Sequence, residues 1–555
     1  MAPLAYHLVR FLFKVSINAF YAIEVDGLEN IPPDGCPTIL CPNHSNSLTD
    51  SILLLSVVPP EKRDMIRMTA KDTFWKKNDI FSLFVKSVGT VPIKRTKDYN
   101  AKVDNTAAIE TLVETLEKGN CICLFPEGIS RYHSQIANFK PGVAPSETLT
   151  RNKDKEDFSI HILTASLVYI HREKFRSNVL VKFNPPIVIT PKHQTLLKTL
   201  AEDGSKRSSE QAINELTNAM EEIVRSNTLD SPDWQTLRIA HTARKLYAGE
   251  LGTRISLSEY VKLTKKFIDL LSKVKTTEDN DNSESSSNNN HFPNGNSLFD
   301  KKQIIVERVD AGNLLSVDNL EVQNEKTSHK GIDLATLVRD LSAYQDLLDS
   351  HGIKDYRVSR PTPLSKSSLI FRIYLRIIWA FVLTSLSLPG WILWSPIFIA
   401  VKYKEYQIRK LPIEDNFDEI AQYKLLISTI LLIPIYFVIC FVTFPFILIT
   451  SWLIPVLMWL TIRWTEDLFQ TIRSCISLTK LLFLPTSEYN AIHTVRENIR
   501  ANVKELAVHE LGLPENPENL ISKVRPRGMG YFSIRRRRKK DYNEVLRLWD
   551  VSSYE

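Results

Sequence analysis

The stretch TILCPNHSNSLTD (Thr38 to Asp50) decides how the first third of the chain is read. Thr38 to Cys41 is a short apolar run that reads as a strand, and Asp50 to Leu55 falls in a helix, so a strand feeds a helix through a short polar loop. Working outward, Thr90 to Ile93, Cys121 to Phe125 and Val179 to Phe183 read as further strands, and Thr106 to Leu116 repeats apolar residues at helical spacing. This alternation from about Gly27 to Ile189 predicts an α/β domain, a central sheet flanked by helices.

At 555 residues the chain exceeds the size at which one core stops growing, so two or more units are expected. A formal net charge of +7 leaves phosphate, CoA and acidic lipid as acceptable partners, and no nucleic-acid partner is expected. The six cysteines show no CxxC pairing and no dense secreted framework, and they read as reduced thiols. Residues 1–25 read as an amphipathic helix, with His7, Arg10, Lys14 and Asn18 on one stripe and Leu4, Leu8, Phe11, Leu12, Val15 and Ala19 around the rest. That pattern suits a helix lying in a membrane interface with its basic face towards water, and equally one packed on the protein's own core.

The organisation expected beyond it is a catalytic domain over 26–190, a helical extension over 191–275, a Ser/Asn/Asp-rich disordered linker or insertion over 276–330 and a cytosolic helical segment over 331–368. Membrane hairpins or spans follow over 369–485, then a cytosolic basic region over 486–555. Ile377 to Val401 is uncharged but broken by Pro389-Gly390, and Leu425 to Ile462 contains Pro434, Pro445 and Pro455. A helix needs about 20 apolar residues to cross a bilayer, so each half of the first run is too short to cross alone. Basic residues flank every run, which fits two helical hairpins that dip in and return better than three ordinary spans. Arg535 to Lys540 (RRRRKK) suits an anionic lipid surface or a solvated tail; a nuclear-localisation reading conflicts with the apolar runs.

Four short blocks carry chemistry. In the first, His44 with Asp50 is the minimum equipment for taking a proton from a hydroxyl: the imidazole accepts it and the carboxylate fixes the tautomer. The second, Gly89-Thr90-Val91-Pro92-Ile93-Lys94-Arg95, ends a strand in two cations, of which Arg95 suits a phosphate bidentately and Lys94 supports it. The third, Phe125-Pro126-Glu127-Gly128, holds a carboxylate in a turn, with Arg131 and His133 just beyond. The fourth is the apolar segment Ile160 to Tyr169, followed by Lys174 to Ser177. Taken singly, each has an ordinary reading: an N-cap, solvated strand-end charges, a turn carboxylate in water.

Together and in this order they resemble the glycerolipid acyltransferase family, whose blocks are a His-to-Asp motif, GxxxIxR, FPEG and an apolar block. The stretch KFRSNVLVKFNPP (174–186) and the C-terminal apolar region look like the fungal-type glycerol-3-phosphate and dihydroxyacetone-phosphate acyltransferases. The resemblance implies His44 as general base, Asp50 as its partner, Gly89, Lys94 and Arg95 at the acceptor phosphate, and Glu127 with Gly128 in the acceptor site. It implies acyl-CoA as co-substrate, no metal and no cofactor, glycerol 3-phosphate or dihydroxyacetone phosphate as acceptor, membrane lipids as surroundings, and an endoplasmic reticulum membrane with the catalytic domain in the cytosol. Two departures stand out. Five residues rather than four separate His44 from Asp50, and Thr164 stands where the fourth block usually has proline. Acylation of a lysophospholipid needs the same dyad and cation, and a catalytically idle lipid-binding scaffold is the alternative of a different class.

Overall fold

The computed structural model describes residues 3–75, 85–86, 88–94, 99, 103–141, 148, 151–152, 158–190, 209–249, 255–284, 333–359, 361, 363–411 and 417–520. Arg95, the linker from residue 285 to 332 and the RRRRKK run lie outside the described residues.

The strands are β1 (Ala22–Asp26), β2 (Thr38–Pro42), β3 (Ile66–Lys71), β4 (Val91–Ile93), β5 (Cys121–Cys123), β6 (Ile160–Tyr169), β7 (Asn178–Phe183) and β8 (Ile187–Ile189). They form one sheet in the order β1-β7-β6-β2-β5-β3-β4, with β8 on β6. Pairing is parallel from β6 through β2, β5 and β3 to β4 and between β1 and β7, and antiparallel where β6 meets β7 and β8. A parallel sheet must be covered on both faces, which is why β2 and β5 are buried along their whole length.

The helices are α1 (Leu4–Phe20), α2 (Leu48–Val57), α3 (Thr106–Glu117), α4 (Ser209–Ser226), α5 (Trp234–Ala248), α6 (Leu257–Glu284), α7 (Leu334–His351), α8 (Lys366–Ile408), α9 (Ile420–Val442), α10 (Ile447–Phe483) and α11 (Thr486–His509). Side chains alternate across the pleat. Leu40, Cys121, Cys123 and Leu163 pack with α1 and α2 on one face, while Ile39, Cys41, Ile122 and Ile162 pack with α3 and α4 on the other. The buried thiols behave as small apolar groups, and burial pushes those of Cys41 and Cys121 up to about 12. A separate core joins α5, α6, α7 and α11 to Val168 and Leu180 of the sheet.

The central sheet flanked by helices, with a helical C-terminal region, agrees with the sequence reading. Several particulars differ. Residues 22–25, assigned to the N-terminal helix, belong to β1, and β3 was not foreseen. The predicted linker starts later, because α6 continues to Glu284.

Of the polar stripe of α1 only Arg10 faces inward, while Lys14 and Asn18 are exposed and His7 is half-buried. Arg10 is buried, and its guanidinium donates to the carbonyls of Leu55 (2.9 Å), Arg63 (3.1 Å), Asp64 (3.2 Å) and Val58. Those oxygens belong to the end of α2 and the chain leaving it, where carbonyls lack helical partners and a cation is favoured. Leu4, Leu8, Phe11 and Val15 are exposed as well. Beside them Ser16 meets Thr429 of α9, Oγ to Oγ1, at 2.7 Å.

Pro389-Gly390 does not end a helix. α8 runs unbroken for 43 residues with Pro389 and Pro396 inside it. Gly390 serves close packing: a Cβ there would stand 1.7 Å from Thr461 Oγ1 of α10. Indole N–H groups stitch the same crossing, Trp391 to Thr465 Oγ1 (2.8 Å) and Trp394 to the Met458 carbonyl (3.1 Å). Such neighbours let a proline-containing helix persist in apolar surroundings. The second run does fold as a hairpin, α9 and α10 joined by a turn at Thr443–Phe446.

Three helical stretches, 366–408, 417–442 and 447–483, are long and apolar enough to cross a membrane. At 1.5 Å per residue α8 extends about 64 Å along its axis, twice a hydrocarbon core of about 30 Å. Both its ends return to the rest of the protein. Leu369 shares a core with Leu478, Leu481 and Tyr489, while Glu405 pairs with Lys424, whose ammonium also donates to the Glu173 carbonyl.

Candidate active site

Because β6, β2, β5, β3 and β4 run parallel, their carboxyl ends share one edge, the place where open α/β sheets bind ligands. His44 follows β2, Glu127 follows β5, Lys94 follows β4, and Tyr169 ends β6. The fold therefore gathers residues that the sequence spreads over more than a hundred positions.

Asp50 organises the centre. Its side chain is fully buried on the first turn of α2. Oδ2 accepts from His44 Nδ1 (2.9 Å) and from the backbone N–H groups of Ser45 (2.9 Å) and Asn46 (2.8 Å), while Oδ1 accepts from the Tyr169 hydroxyl (2.7 Å). A carboxylate at this helical position reaches back to the amides before the helix, as in a capping box, and the helix N-terminus favours its charge. With the Nδ1 proton given to Asp50, Nε2 keeps its lone pair. The imidazole also stacks on Phe125, centroids 4.1 Å apart, which fixes its plane.

The five-residue gap is absorbed at Ser47. Its φ of 46° and ψ of −136° lie in the left-handed half of the backbone map. The Thr49 N–H to Asn46 carbonyl bond (3.0 Å) closes a turn with Ser47 second, the type II′ geometry that usually takes glycine there. A non-glycine residue in such a conformation costs on the order of 1–3 kcal/mol and persists only where neighbours hold it. The turn takes up the extra residue and leaves Asp50 facing His44.

Glu127 is nearly buried. Its Oε1 accepts from the His44 N–H (2.5 Å) and its Oε2 from the Ala137 N–H (3.0 Å), so it braces the backbone that carries the imidazole. Burial pushes its carboxyl up to about 7, against the opposing pull of those two amides. Gly128 adopts φ +71° in the same turn, where a Cβ would press on Lys140 Nζ at 3.0 Å. Gly89 (φ +67°) precedes β4, and a Cβ there would strike Met65 Cε at 2.4 Å. Lys94 is exposed, with its backbone paired to Asn105. It lies three strand spacings from β2, about 14 Å along the sheet.

An open cleft is lined by His44, Glu127, Arg131, His133, Tyr169 and Arg172. Arg172 fastens its rim, donating to the carbonyls of Ser45 (3.2 Å), Arg131 (3.1 Å) and His133 (3.0 Å). Arg131 Nε has no hydrogen-bond partner among the described residues. Thr164, the departure in the fourth block, is buried in β6 beside Asn184.

Three side chains escaped the sequence reading. Asn43 pairs with both backbone groups of Leu167 (3.0 and 2.7 Å), tying the loop after β2 to β6. Tyr169 was counted only as the end of an apolar strand, and Arg172 carried no motif at all. Only their parallel-sheet neighbours reveal them.

The geometry has counterparts among known proteins. Residues 22–164 match the Acyltransferase family model. Residues 324–515 match the model described as the glycerol-3-phosphate acyltransferase 2 C-terminal domain. Glycerol-3-phosphate O-acyltransferase 2 of Saccharomyces cerevisiae is 26% identical over 341 residues, covering 60% of this chain and 37% of that protein. Glycerol-3-phosphate O-acyltransferase 1 of the same yeast is 25% identical over 307 residues, covering 55% and 32%. A chloroplastic 1-acyl-sn-glycerol-3-phosphate acyltransferase of Arabidopsis thaliana is 31% identical over 134 residues, covering 23% and 33%. The alignments thus span about a third of the length of each of these relatives.

Glu127 sets a pH dependence. An unfolded glutamate loses its proton near the ordinary 4.5, whereas the folded one keeps it to about 7, so folding binds a proton in between and stability falls as pH rises through that window. The full difference is roughly 3 kcal/mol. Melting temperatures in detergent at pH 5 and pH 8 should fall more for the wild type than for Glu127→Gln; equal falls would contradict the assignment.

Proposed function

We propose that this acyltransferase moves a fatty acyl group from acyl-CoA to the sn-1 hydroxyl of glycerol 3-phosphate, with dihydroxyacetone phosphate as a further acceptor. The observation that carries the chemistry is the His44–Asp50 pair at 2.9 Å on the carboxyl edge of the sheet. What favours this acceptor over a lysophospholipid is the C-terminal match, since the glycerol-3-phosphate acyltransferase 2 domain covers 324–515 whereas the 1-acyl-sn-glycerol-3-phosphate relative aligns over 23% of the chain.

In this reading His44 Nε2 takes the proton of the acceptor hydroxyl as its oxygen attacks the thioester carbonyl carbon. The new C–O bond forms, the C–S bond breaks, and the departing CoA sulfur takes the proton back from the imidazolium. Asp50 holds the ring in the required tautomer and offsets its transient charge. Glu127 and Gly128 shape the acceptor side of the cleft, Lys94 supplies a cation farther along the edge, and the family motif assigns the next residue in sequence, Arg95, to the acceptor phosphate. Arg131, which also lines the cleft, is in this reading a further cation for the acceptor phosphate.

Histidine 44 replaced by alanine should lower acyl transfer roughly 10²–10⁴-fold, the usual worth of a positioned base. Arg95→Ala and Arg131→Ala should raise KM for glycerol 3-phosphate more than they lower kcat. Radiolabelled glycerol 3-phosphate, dihydroxyacetone phosphate and lysophosphatidic acid supplied side by side decide the acceptor. Preferential labelling of lysophosphatidic acid, or full activity in His44→Ala, would overturn the reading.

The same proposal places the protein in the endoplasmic reticulum membrane with its catalytic domain in the cytosol. Both outer ends of the α9–α10 hairpin contact the soluble part, and both ends of the unbroken α8 are tied to it, which supports apolar segments that leave the flanking chain on one side. An N-glycosylation acceptor inserted after Lys410 should stay unmodified in microsomes, and its glycosylation would contradict this arrangement.

A further inference from the structure

Ser47 holds a backbone conformation that serine disfavours, and two groups from outside the loop hold it there. The Ser47 N–H donates to Ser130 Oγ (2.8 Å), and the Ser130 hydroxyl donates in turn to Asp418 Oδ2 (2.5 Å). The next amide, of Leu48, donates to Gln422 Oε1 (3.2 Å). Asp418 and Gln422 are both buried, and they open the segment that continues into α9. Phe417 packs against Tyr132, centroids 4.6 Å apart, and Tyr132 stacks on Trp234 at 5.0 Å, so the segment is wedged against the loop that follows FPEG.

The order of donors matters. A serine hydroxyl has one proton, and its direction decides whether the oxygen can accept from Ser47. The Asp418 carboxylate accepts and cannot donate when ionised, so it draws that proton away from Ser47 and leaves a lone pair for the amide. The backbone conformation of Ser47 in turn sets where α2 begins and where Asp50 points.

We propose that Asp418 is a positioning residue for the acyl-transfer centre, acting through Ser130 on the strained Ser47 turn, so that the seating of α9 governs the His44–Asp50 geometry. This rests on the acyl-transfer reading for its kinetic consequence but not for its structural one. A loop one residue longer than the ordinary spacing needs an added constraint, and the C-terminal region supplies it.

The test compares full-length wild type, Asp418→Asn, Asp418→Glu and the double variant Asp418→Asn/Ser47→Gly in detergent. Amide hydrogen exchange is measured for peptides covering 44–50 and for peptides from β6 and β7, together with kcat and KM for glycerol 3-phosphate. Asp418→Asn should speed exchange in 44–50 at least ten-fold while β6 and β7 stay protected. It should lower kcat ten-fold or more with KM within three-fold, and Asp418→Glu should recover part of the rate. Glycine accepts the Ser47 conformation without help, so the double variant should regain at least five-fold of the lost kcat.

Unchanged exchange in 44–50 would overturn the proposal whether or not the protein transfers acyl groups. Faster exchange throughout β6 and β7 would overturn it too, by showing a general structural role. A wild type inactive on every acceptor, with the exchange pattern as expected, would sink the proposed function and leave the brace standing.

Discussion

Four donors converge on one buried carboxylate, and the arrangement of the site depends on that convergence. Asp50 is bound by the imidazole it orients, by two backbone amides of its own loop and by a tyrosine from the neighbouring strand. An unpaired charge at this depth would be costly, so the loop, the helix start and the end of β6 must all be in place for the carboxylate to be tolerated. The network that orients His44 is therefore also a condition for folding this corner of the domain.

Around it the protein uses backbone braces more than side-chain pairs. Glu127 holds the His44 amide, Asn43 joins β2's exit to Leu167, and Arg172 collects carbonyls from the loops after β2 and β5. The imidazole is thus fixed from behind by Asp50, from beneath by Phe125 and along its backbone by Glu127. Its Nε2 is then the part left for substrate. The C-terminal half closes the assembly: Arg176 ties α1 to Glu466 of α10, and the start of α9 rests on the catalytic loop.

Much of the catalytic domain was legible from local pattern. Apolar runs of four, ten and five residues gave β2, β6 and β7 within a residue, and the ordered blocks placed His44 and Glu127 just after strands and Asp50 in the helix that follows. The misreadings share a cause. β3 carries Arg67 and Lys71, so its period is faint, and its strand character comes from pairing with β4 and β5. Arg10 looks water-facing on a helical wheel, yet bare carbonyls at the end of α2 outcompete water for the guanidinium. Pro389-Gly390 looks like a turn, but the glycine is there for contact with Thr461. Asp418 lies 368 positions from Asp50, and no local spacing could have joined it to the site. Propensity and periodicity describe what a segment prefers alone, and each failure is a place where a distant partner decided.

The account turns on whether Asp50 governs the protonation state of His44. The most direct measurement is the rate of acyl transfer to glycerol 3-phosphate by Asp50→Asn, set against its circular dichroism and melting temperature. An amide can accept the same backbone N–H groups, but it presents no charge to the imidazole and permits the wrong tautomer. The account predicts a loss of about 10³–10⁴-fold in kcat with the fold intact. A folded Asp50→Asn variant that works within ten-fold of the wild type would contradict it.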